Sequence, residues 1–314
     1  MKKEKEQYKN NTSKKQSLGA RMWKYHQFYL MLLPALICVL VFSYGPLYGV
    51  QIAFKNFKGS LGIMKSPWVG FKHFTDFFQG YYFWDLIQNT LKLSVYSLLV
   101  SFPIPIIVSL ILNEATPKLK RTAQTILYAP HFISTVVLAG MIVIMFSKSN
   151  GVINNILEIL GMERYYFMGE ESAFRHLYVW SGVWQEMGWN CIIYIAALSG
   201  VDPSLHEAAT VDGASRMQRI IHINLPVIKP TIIIMLIMSV GNIASVGYEK
   251  VYLLQTDLNV AVSEVISTYV YKRGIVSQNY SFSAAVGLFN NVINVTMLLI
   301  ANTISRKTSE TSLF

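Results

Sequence analysis

The side chains best suited to interaction chemistry lie in a short polar segment between long apolar ones. The segment EAATVDGASRMQRIIHINLP runs from Glu207 to Pro226 and combines a carboxylate, two arginines, a glycine and several small residues. Such residues suit an element that docks onto another protein, or a connector packed beneath a membrane domain. Catalysis is not indicated, because the chain has no G-x-x-x-x-G-K-[ST] phosphate loop, no H-E-x-x-H and no G-x-S-x-G.

A second set of polar and aromatic side chains lies within or beside apolar segments, where a polar group is costly unless it is buried or lines a water-filled path. The candidates for such a path are Trp184, Glu186, Trp189, Asn190, Asn242, Tyr248, Glu249, Asn290 and Asn294. Alternatives stay open. The tryptophans can anchor the chain at the membrane surface, and Asn290 with Asn294 can join helices. Glu186 needs water, a partner or a raised pKa, and His131 is expected to be satisfied structurally.

The elements that position these residues are apolar helices. Of 314 residues, 53% are hydrophobic and only 14% charged, whereas soluble domains carry about a quarter charged residues. The sequence predicts an all-α integral membrane protein with about six transmembrane helices, since runs of about twenty apolar residues can cross a bilayer. The predicted spans are 29–50, 86–112, 123–146, 174–199, 231–254 and 284–304. The first is long and lacks a small-residue cleavage site, so it is interpreted as an uncleaved span and not a signal peptide.

The distribution of positive charge predicts the orientation. Lys and Arg are concentrated before the first span, after the last, and in the second–third and fourth–fifth connections, as the positive-inside rule requires of cytoplasmic segments. The net charge of +10 therefore gives no reason to expect nucleic acid. The predicted organisation is a cytoplasmic basic leader (1–27), one membrane domain (28–305) with a cytoplasmic loop between helices 4 and 5 (202–230), and a cytoplasmic tail (306–314).

Local signals divide the 202–230 loop into two short helices. Asp202 followed by Pro203 predicts a helix start, and Gly213 predicts its end, because glycine adopts the left-handed conformation without steric cost. Ser215 with a glutamine three residues later forms a capping box that begins a second helix. Pro226 and the proline four residues later are expected to restrict the chain before the fifth span.

The spacing within this loop matches a known motif. Glu207-Ala208-Ala209, the Asp212-Gly213-Ala214 core, Ile223 separated from Gly213 by nine residues (214–222), and Leu225-Pro226 resemble the EAA motif of ABC-importer permeases at every defining position. Near the N-terminus, YLMLLPALICVLVFSYGPLYGVQIAFKNF and SPWVGFKHFTDFF resemble type I, maltose-permease-like carbohydrate permeases. More narrowly, they resemble the branch that imports complex oligosaccharides.

The resemblance implies a type I ABC importer fold in a bacterial plasma membrane and a chain that is not an enzyme. The implied partners are a second homologous permease, a cytoplasmic ATPase dimer that binds ATP and Mg, an extracellular solute-binding lipoprotein, membrane lipid and an oligosaccharide. The chain itself is expected to hold no cofactor or metal. Glu207 is implied to pair with a basic residue of the ATPase, while Ile223, Leu225 and Pro226 set the geometry between loop and membrane. A permease for another solute, an ion-driven transporter and a membrane scaffold are the competing hypotheses.

Overall fold

The fold is all-helical, as predicted. The structure is a computed structural model that describes residues 18–309 and 311–314. Among these residues the sole β-type pairing is an isolated bridge between Lys55 and Trp68. The predicted leader lies outside the described residues as far as residue 17, and within the predicted tail position 310 is not described.

The first of two compact units ends at Gln51. It contains α1 (Leu18–Lys24), α2 (His26–Val39), a π-helical turn (Leu40–Tyr44) and the start of a 3-10 helix (Gly45–Phe54). The segment His26–Phe54 is long and apolar enough to cross a membrane, and none of its most apolar window is buried within the chain. An apolar helix without a polar face requires lipid or another subunit around it, in keeping with the predicted first span.

The second unit, Ile52–Phe314, holds the remaining helices. Its α-helices are α3 (Gly62–Lys65), α4 (Lys72–Phe78), α5 (Phe83–Ser101), α6 (Pro103–Asn113), α7 (Pro117–Tyr128), α8 (Thr135–Met145), α9 (Val152–Ile159), α10 (Glu171–Leu198), α11 (Pro203–Val211), α12 (Arg216–Arg219), α13 (Leu225–Val240), α14 (Tyr248–Leu254), α15 (Val260–Ser263), α16 (Ile266–Tyr271) and α17 (Tyr280–Ser309). A 3-10 helix (Ala129–Phe132) and π-helical turns (Ile220–Asn224, Lys272–Val276) complete the unit.

Helix α10 is the centre of this unit and packs against α5, α6, α7 and α13. The main apolar core includes Leu93, Phe174 and Val179, all essentially buried. A smaller core joins Leu110, Leu198 and the fully buried Ile228 at the C-terminal end of α10. Ile228 belongs to the 202–230 loop, so this smaller core anchors the loop to the membrane helices.

One predicted span is not a single helix, and another has the wrong boundaries. Among the described residues four helices are long and apolar enough to cross a membrane, namely His26–Phe54, Phe83–Asn113, Arg216–Val240 and Tyr280–Ser309. The predicted span 123–146 is instead a pair of helices, Pro117–Phe132 and Thr135–Met145, bent by 95°. The bend occurs where Ile133 is extended and the Ser134 hydroxyl accepts a hydrogen bond from the Val137 N–H, which starts a new helix.

The predicted span 231–254 is also wrong, because its helix begins at Arg216 and ends at Val240, and Tyr248–Leu254 is a separate helix. The helix continues past Pro226. This proline lies in the first turn of α13, directly after the π-helical turn. The backbone N–H that proline lacks is not needed there for an α-helical hydrogen bond. Helix α10 has 28 residues but is too polar to count among the apolar four, so the number of six spans stays a prediction.

Candidate functional site

The EAA loop (202–230) begins with a capped helix. The Asp202 side chain accepts a hydrogen bond of 2.9 Å from the Ser204 backbone N–H, and Pro203 occupies the first helical position. Hydrogen bonds from Ser204, its backbone N–H first, hold the pKa of the Asp202 carboxyl below its ordinary value. The predicted start of α11 is therefore confirmed.

The EAA residues lie on the surface of α11. Glu207 and Ala208 are exposed, and Ala209 is half-buried. The Glu207 carboxylate forms no ion pair with any described residue. Val211, at the end of the helix, is 88% exposed. A free carboxylate beside small residues and an exposed valine is a surface suited to contact with another protein.

The turn after α11 depends on Gly213. Its φ is +77°, and a Cβ built on it would meet no atom within 4 Å. The turn is closed by hydrogen bonds from the Gly213 N–H to the Thr210 carbonyl and from the Ala214 N–H to the Ala209 carbonyl, the latter 2.8 Å long. Glycine is therefore favoured here by backbone conformation, and not by lack of space. The preceding Asp212, which caps the helix end, is exposed.

The second helix of the loop starts with the predicted capping box. The Gln218 N–H donates to the Ser215 hydroxyl at 3.3 Å, and the Ser215 N–H donates to the Gln218 side chain at 2.7 Å. The helix is not short, since it continues into α13. Ile223 is half-buried on it, whereas Leu225 and Pro226 are exposed.

A polar cluster attaches the EAA loop to the membrane helices. Arg219 donates to the Thr210 hydroxyl of α11 at 2.9 Å and lies 3.6 Å from Glu114, the residue that ends α6. Asn224, which is fully buried, donates to the same carboxylate at 3.3 Å. The sequence analysis did not predict this cluster, because Glu114 is 110 residues from Asn224 and belongs to no motif.

Two of the predicted path residues on α10 are held by His131. Its Nδ1 lies 2.9 Å from Glu186 Oε2, and its ring stacks on Trp189 with centroids 4.2 Å apart. Gln185, the residue before Glu186, donates to the Ile133 carbonyl at 2.7 Å. Glu186 thus has the partner that a carboxylate in an apolar segment requires, and His131 is satisfied structurally, as expected.

A polar cavity between α5, α10 and α13 brings together two other predicted residues, Asn190 and Asn242. Its volume, including the open mouth, is about 890 Å³. Serine hydroxyl groups contribute to the lining. Ser94, Ser97 and Ser101 lie on one face of α5, and Ser239 lies on α13. We call this the serine cavity. Residues three and four apart lie on one face of a helix, so the serine spacing along α5 could have indicated a polar helix face from the sequence.

The Ser94 and Ser97 hydroxyl oxygens are buried and have no hydrogen-bond partner among the described residues. Buried polar groups are normally paired, so each such atom calls for an explanation. Both serines lie in the wall of the cavity that also holds Asn190 and Asn242.

A second opening contains Tyr248 and Asn290 from the predicted set, together with Tyr271, Tyr280 and Asn291. We call this the tyrosine cleft. Its volume, including open space, is about 1290 Å³. Tyr271 and Tyr280 were not predicted, because they lie in the connection between the predicted spans 231–254 and 284–304.

The other three predicted path residues lie elsewhere. Asn294 is buried, donates to the Ser245 hydroxyl at 2.7 Å and accepts from the Ala244 N–H at 2.9 Å, so it connects α17 to the turn between α13 and α14. Trp184 lines an apolar pocket beside α8. Glu249 is exposed and lines neither the serine cavity nor the tyrosine cleft.

Comparison with known proteins decides the family. Residues 93–310 match the family described as binding-protein-dependent transport system inner membrane component. The chain is a member of this family. It is 42% identical to protein LplB of Bacillus subtilis (strain 168) over 91% of this chain and 90% of LplB. It is 39% identical to the polygalacturonan/rhamnogalacturonan transport system permease protein YteP of the same organism, over 96% and 94%.

Solved structures agree with the sequence relatives. A crystal structure of a bacterial ABC transporter involved in import of the acidic polysaccharide alginate has a chain that is 41% identical, with a TM-score of 0.85. The match covers 93% of this permease and 99% of that chain. The alginate transporter in complex with a pentasaccharide-bound periplasmic protein gives 40% identity and a TM-score of 0.86, with 94% and 99% covered.

The family, the type I importer fold and the permease function predicted from the EAA motif are therefore confirmed. The permease is a membrane-embedded ABC transporter component and not an enzyme. The matched segment, 93–310, contains the EAA loop and the residues that line the serine cavity.

Proposed function

We propose that the permease forms one half of a translocation path for acidic oligosaccharides, with a second homologous permease forming the other half. An extracellular solute-binding protein delivers the sugar. The named cargoes of two relatives support this substrate class, since one is polygalacturonan/rhamnogalacturonan and the other is alginate. In this proposal the serine cavity is part of the path.

Lys250 adds support for an anionic cargo. The side chain is half-buried, and its ammonium donates to the Tyr178 carbonyl at 2.9 Å and lies 4.9 Å from the Tyr178 ring centroid. No carboxylate of the described residues lies within salt-bridge distance of it. Lys250 does not line the serine cavity itself, but it contacts Tyr178, which does. Its positive charge would favour an anionic sugar near this wall.

Energy for transport comes, in this proposal, from a separate ATPase dimer that binds ATP and Mg and receives α11 in a cleft. The free Glu207 on a capped surface helix with complete EAA spacing is the observation that carries the proposal. Glu207 pairs with a basic side chain, Ala208 and Ala209 admit close backbone approach, and Asp212, Gly213 and Ala214 form the bend. Ile223, Leu225 and Pro226 lie on the helix that leads into the membrane.

The orientation of the chain in the membrane is proposed from the distribution of positive charge. We place the EAA loop, the leader and the tail in the cytoplasm, because the short segments rich in Lys and Arg would then all lie inside. The serine cavity then lies between the cytoplasmic loop and the external segments.

The test is co-purification of an ATPase with the reconstituted permease pair, followed by ATP turnover with sugar-loaded binding protein. Glu207→Ala is expected to weaken ATPase retention and to uncouple turnover from added sugar. Glu163→Ala, an exposed carboxylate in a predicted external segment, is the matched control and should behave as wild type. If the two variants behave alike, α11 only connects the helices on either side of it and does not dock onto the ATPase. Stimulation by a non-sugar solute alone would contradict the proposed cargo.

A further inference from the structure

We propose that the tyrosine cleft is a binding site for one pyranose ring of the transported oligosaccharide, separate from the serine cavity. The inference rests on the proposed function, since it assumes a sugar cargo. It adds a site at the opposite end of the membrane domain from the EAA loop.

The cleft has a fixed aromatic platform. Tyr248 and Tyr271 stack with ring centroids 5.0 Å apart and planes 21° apart, and Tyr252 holds Tyr271 from the side through an edge contact of 5.3 Å. Tyr248 and Tyr280 each remain 45% exposed. Rigid tyrosine rings offer a flat apolar face and a hydroxyl at low entropic cost. The C–H face of a pyranose is complementary to such a ring.

Asn290 supplies the polar group that orients a ligand. Its Oδ1 is buried and has no hydrogen-bond partner among the described residues. The hydroxyls of Ser267 and Ser283 are already used, because they donate to the Val246 and Val270 carbonyls at 2.7 and 3.0 Å. A sugar hydroxyl that donates to Asn290 would remove the cost of the unpaired oxygen. Binding sites of this kind combine apolar walls with few such polar groups.

The position of the cleft suits entry of the cargo. Its lining includes Tyr280, Gly287, Asn290 and Asn291, all within the first turns of α17. This end of α17 is the external one in the orientation proposed above. Gly287 leaves room, because a Cβ built on it meets nothing within 4 Å. The cleft is therefore placed to receive a sugar ring before the serine cavity does.

Gly287→Leu tests the inference, because leucine fills the cleft and favours the helix more than glycine does. Gly140→Leu is the control, because Gly140 lines neither the tyrosine cleft nor the serine cavity and a Cβ built on it meets nothing within 4 Å. Asn290→Leu removes the unpaired amide oxygen. The assay measures ATP turnover of the assembled complex against the concentration of binding protein loaded with oligogalacturonides or alginate oligomers. We expect Gly287→Leu and Asn290→Leu to raise the half-saturating concentration about three- to tenfold, as for the loss of one or two hydrogen bonds. Gly140→Leu should leave it unchanged.

Three results would overturn the inference, and they are distinguishable. Unchanged half-saturation in both leucine variants would show that the cleft binds no sugar. Loss of the second permease from the purified Gly287→Leu complex would identify the cleft as a subunit interface. If the wild-type complex hydrolyses ATP but no oligosaccharide stimulates it, the carbohydrate cargo itself is wrong, and the proposed site is rejected with it.

Discussion

Replacing Arg219 by methionine should loosen the EAA loop from the membrane domain. The substitution removes the hydrogen bond to Thr210 in α11 and the ion pair with Glu114 at the end of α6. It keeps most of the length and apolar character of the side chain. Glu114 would retain only the Asn224 amide as a partner among the described residues.

The magnitude follows from burial. The side chains of Arg219 and Glu114 are 19% and 17% exposed. Removing one partner of a buried pair costs about 3–5 kcal/mol, whereas exposed pairs contribute about 1 kcal/mol or less. At one-fifth exposure, with Asn224 still bound to the carboxylate, we expect a loss of about 2 kcal/mol. This corresponds to a Tm lower by about 4–8 °C.

The assay is thermal unfolding of the purified complex, with sugar-stimulated ATP turnover measured in parallel. Arg216→Met is the matched control, since Arg216 lies one helical turn earlier and is exposed; its Tm should change little. The exchange of charges in the double variant Glu114→Arg, Arg219→Glu should restore part of the coupled turnover. Equal unfolding of the Arg219 and Arg216 variants, with turnover still coupled to sugar, would refute the role assigned to the pair.

The remaining predictions concern substitutions of three glycines and their effect on stability. Gly213→Val should cost about 1–2 kcal/mol because its φ of +77° is strained for a branched side chain, and Gly213→Asn should cost clearly less; Tm and ATPase retention measure both. Gly188→Ala would place a Cβ 2.0 Å from the Leu127 carbonyl oxygen, so we expect destabilisation near the upper end of about 1–3 kcal/mol. Gly140→Ala, with open space around its Cβ, should be neutral or slightly stabilising in the same unfolding experiment. Equal effects of Gly188→Ala and Gly140→Ala would contradict the close packing of α10 on α7.

Local signals in the sequence predicted the EAA loop well, because each acts over a few residues. The Asp202 cap, the Gly213 bend and the Ser215 capping box all have the expected partners. The continuation of α12 through Pro226 was missed. A π-helical turn before the proline has no simple sequence signal, and it lets the helix pass a residue that normally stops one.

Long-range pairing could not be predicted from one sequence. The polar residues of α10 were correctly singled out as unusual, but their partners decide what they do. Glu186 and Trp189 contact His131 some 55 residues away, whereas Asn190 opens to the serine cavity. A single helix thus carries structural and path-lining groups on neighbouring turns, which composition and periodicity do not distinguish.

Two of the helices that line the serine cavity also meet at the Glu114–Arg219 pair. Ser94, Ser97 and Ser101 lie on the helix Phe83–Asn113, which Glu114 ends, and Ser239 lies on the helix Arg216–Val240, which begins beside Arg219. A helix of 25 residues is about 38 Å long, so one element runs from Arg219 to the wall of the cavity. In the proposed mechanism, movement of α11 would act on Arg219 through Thr210 and would reach both of these helices together, since Glu114 joins them at one end. If the pair is the link, the charge-exchanged variant should couple ATP turnover to sugar better than either single variant, even where its Tm is no higher.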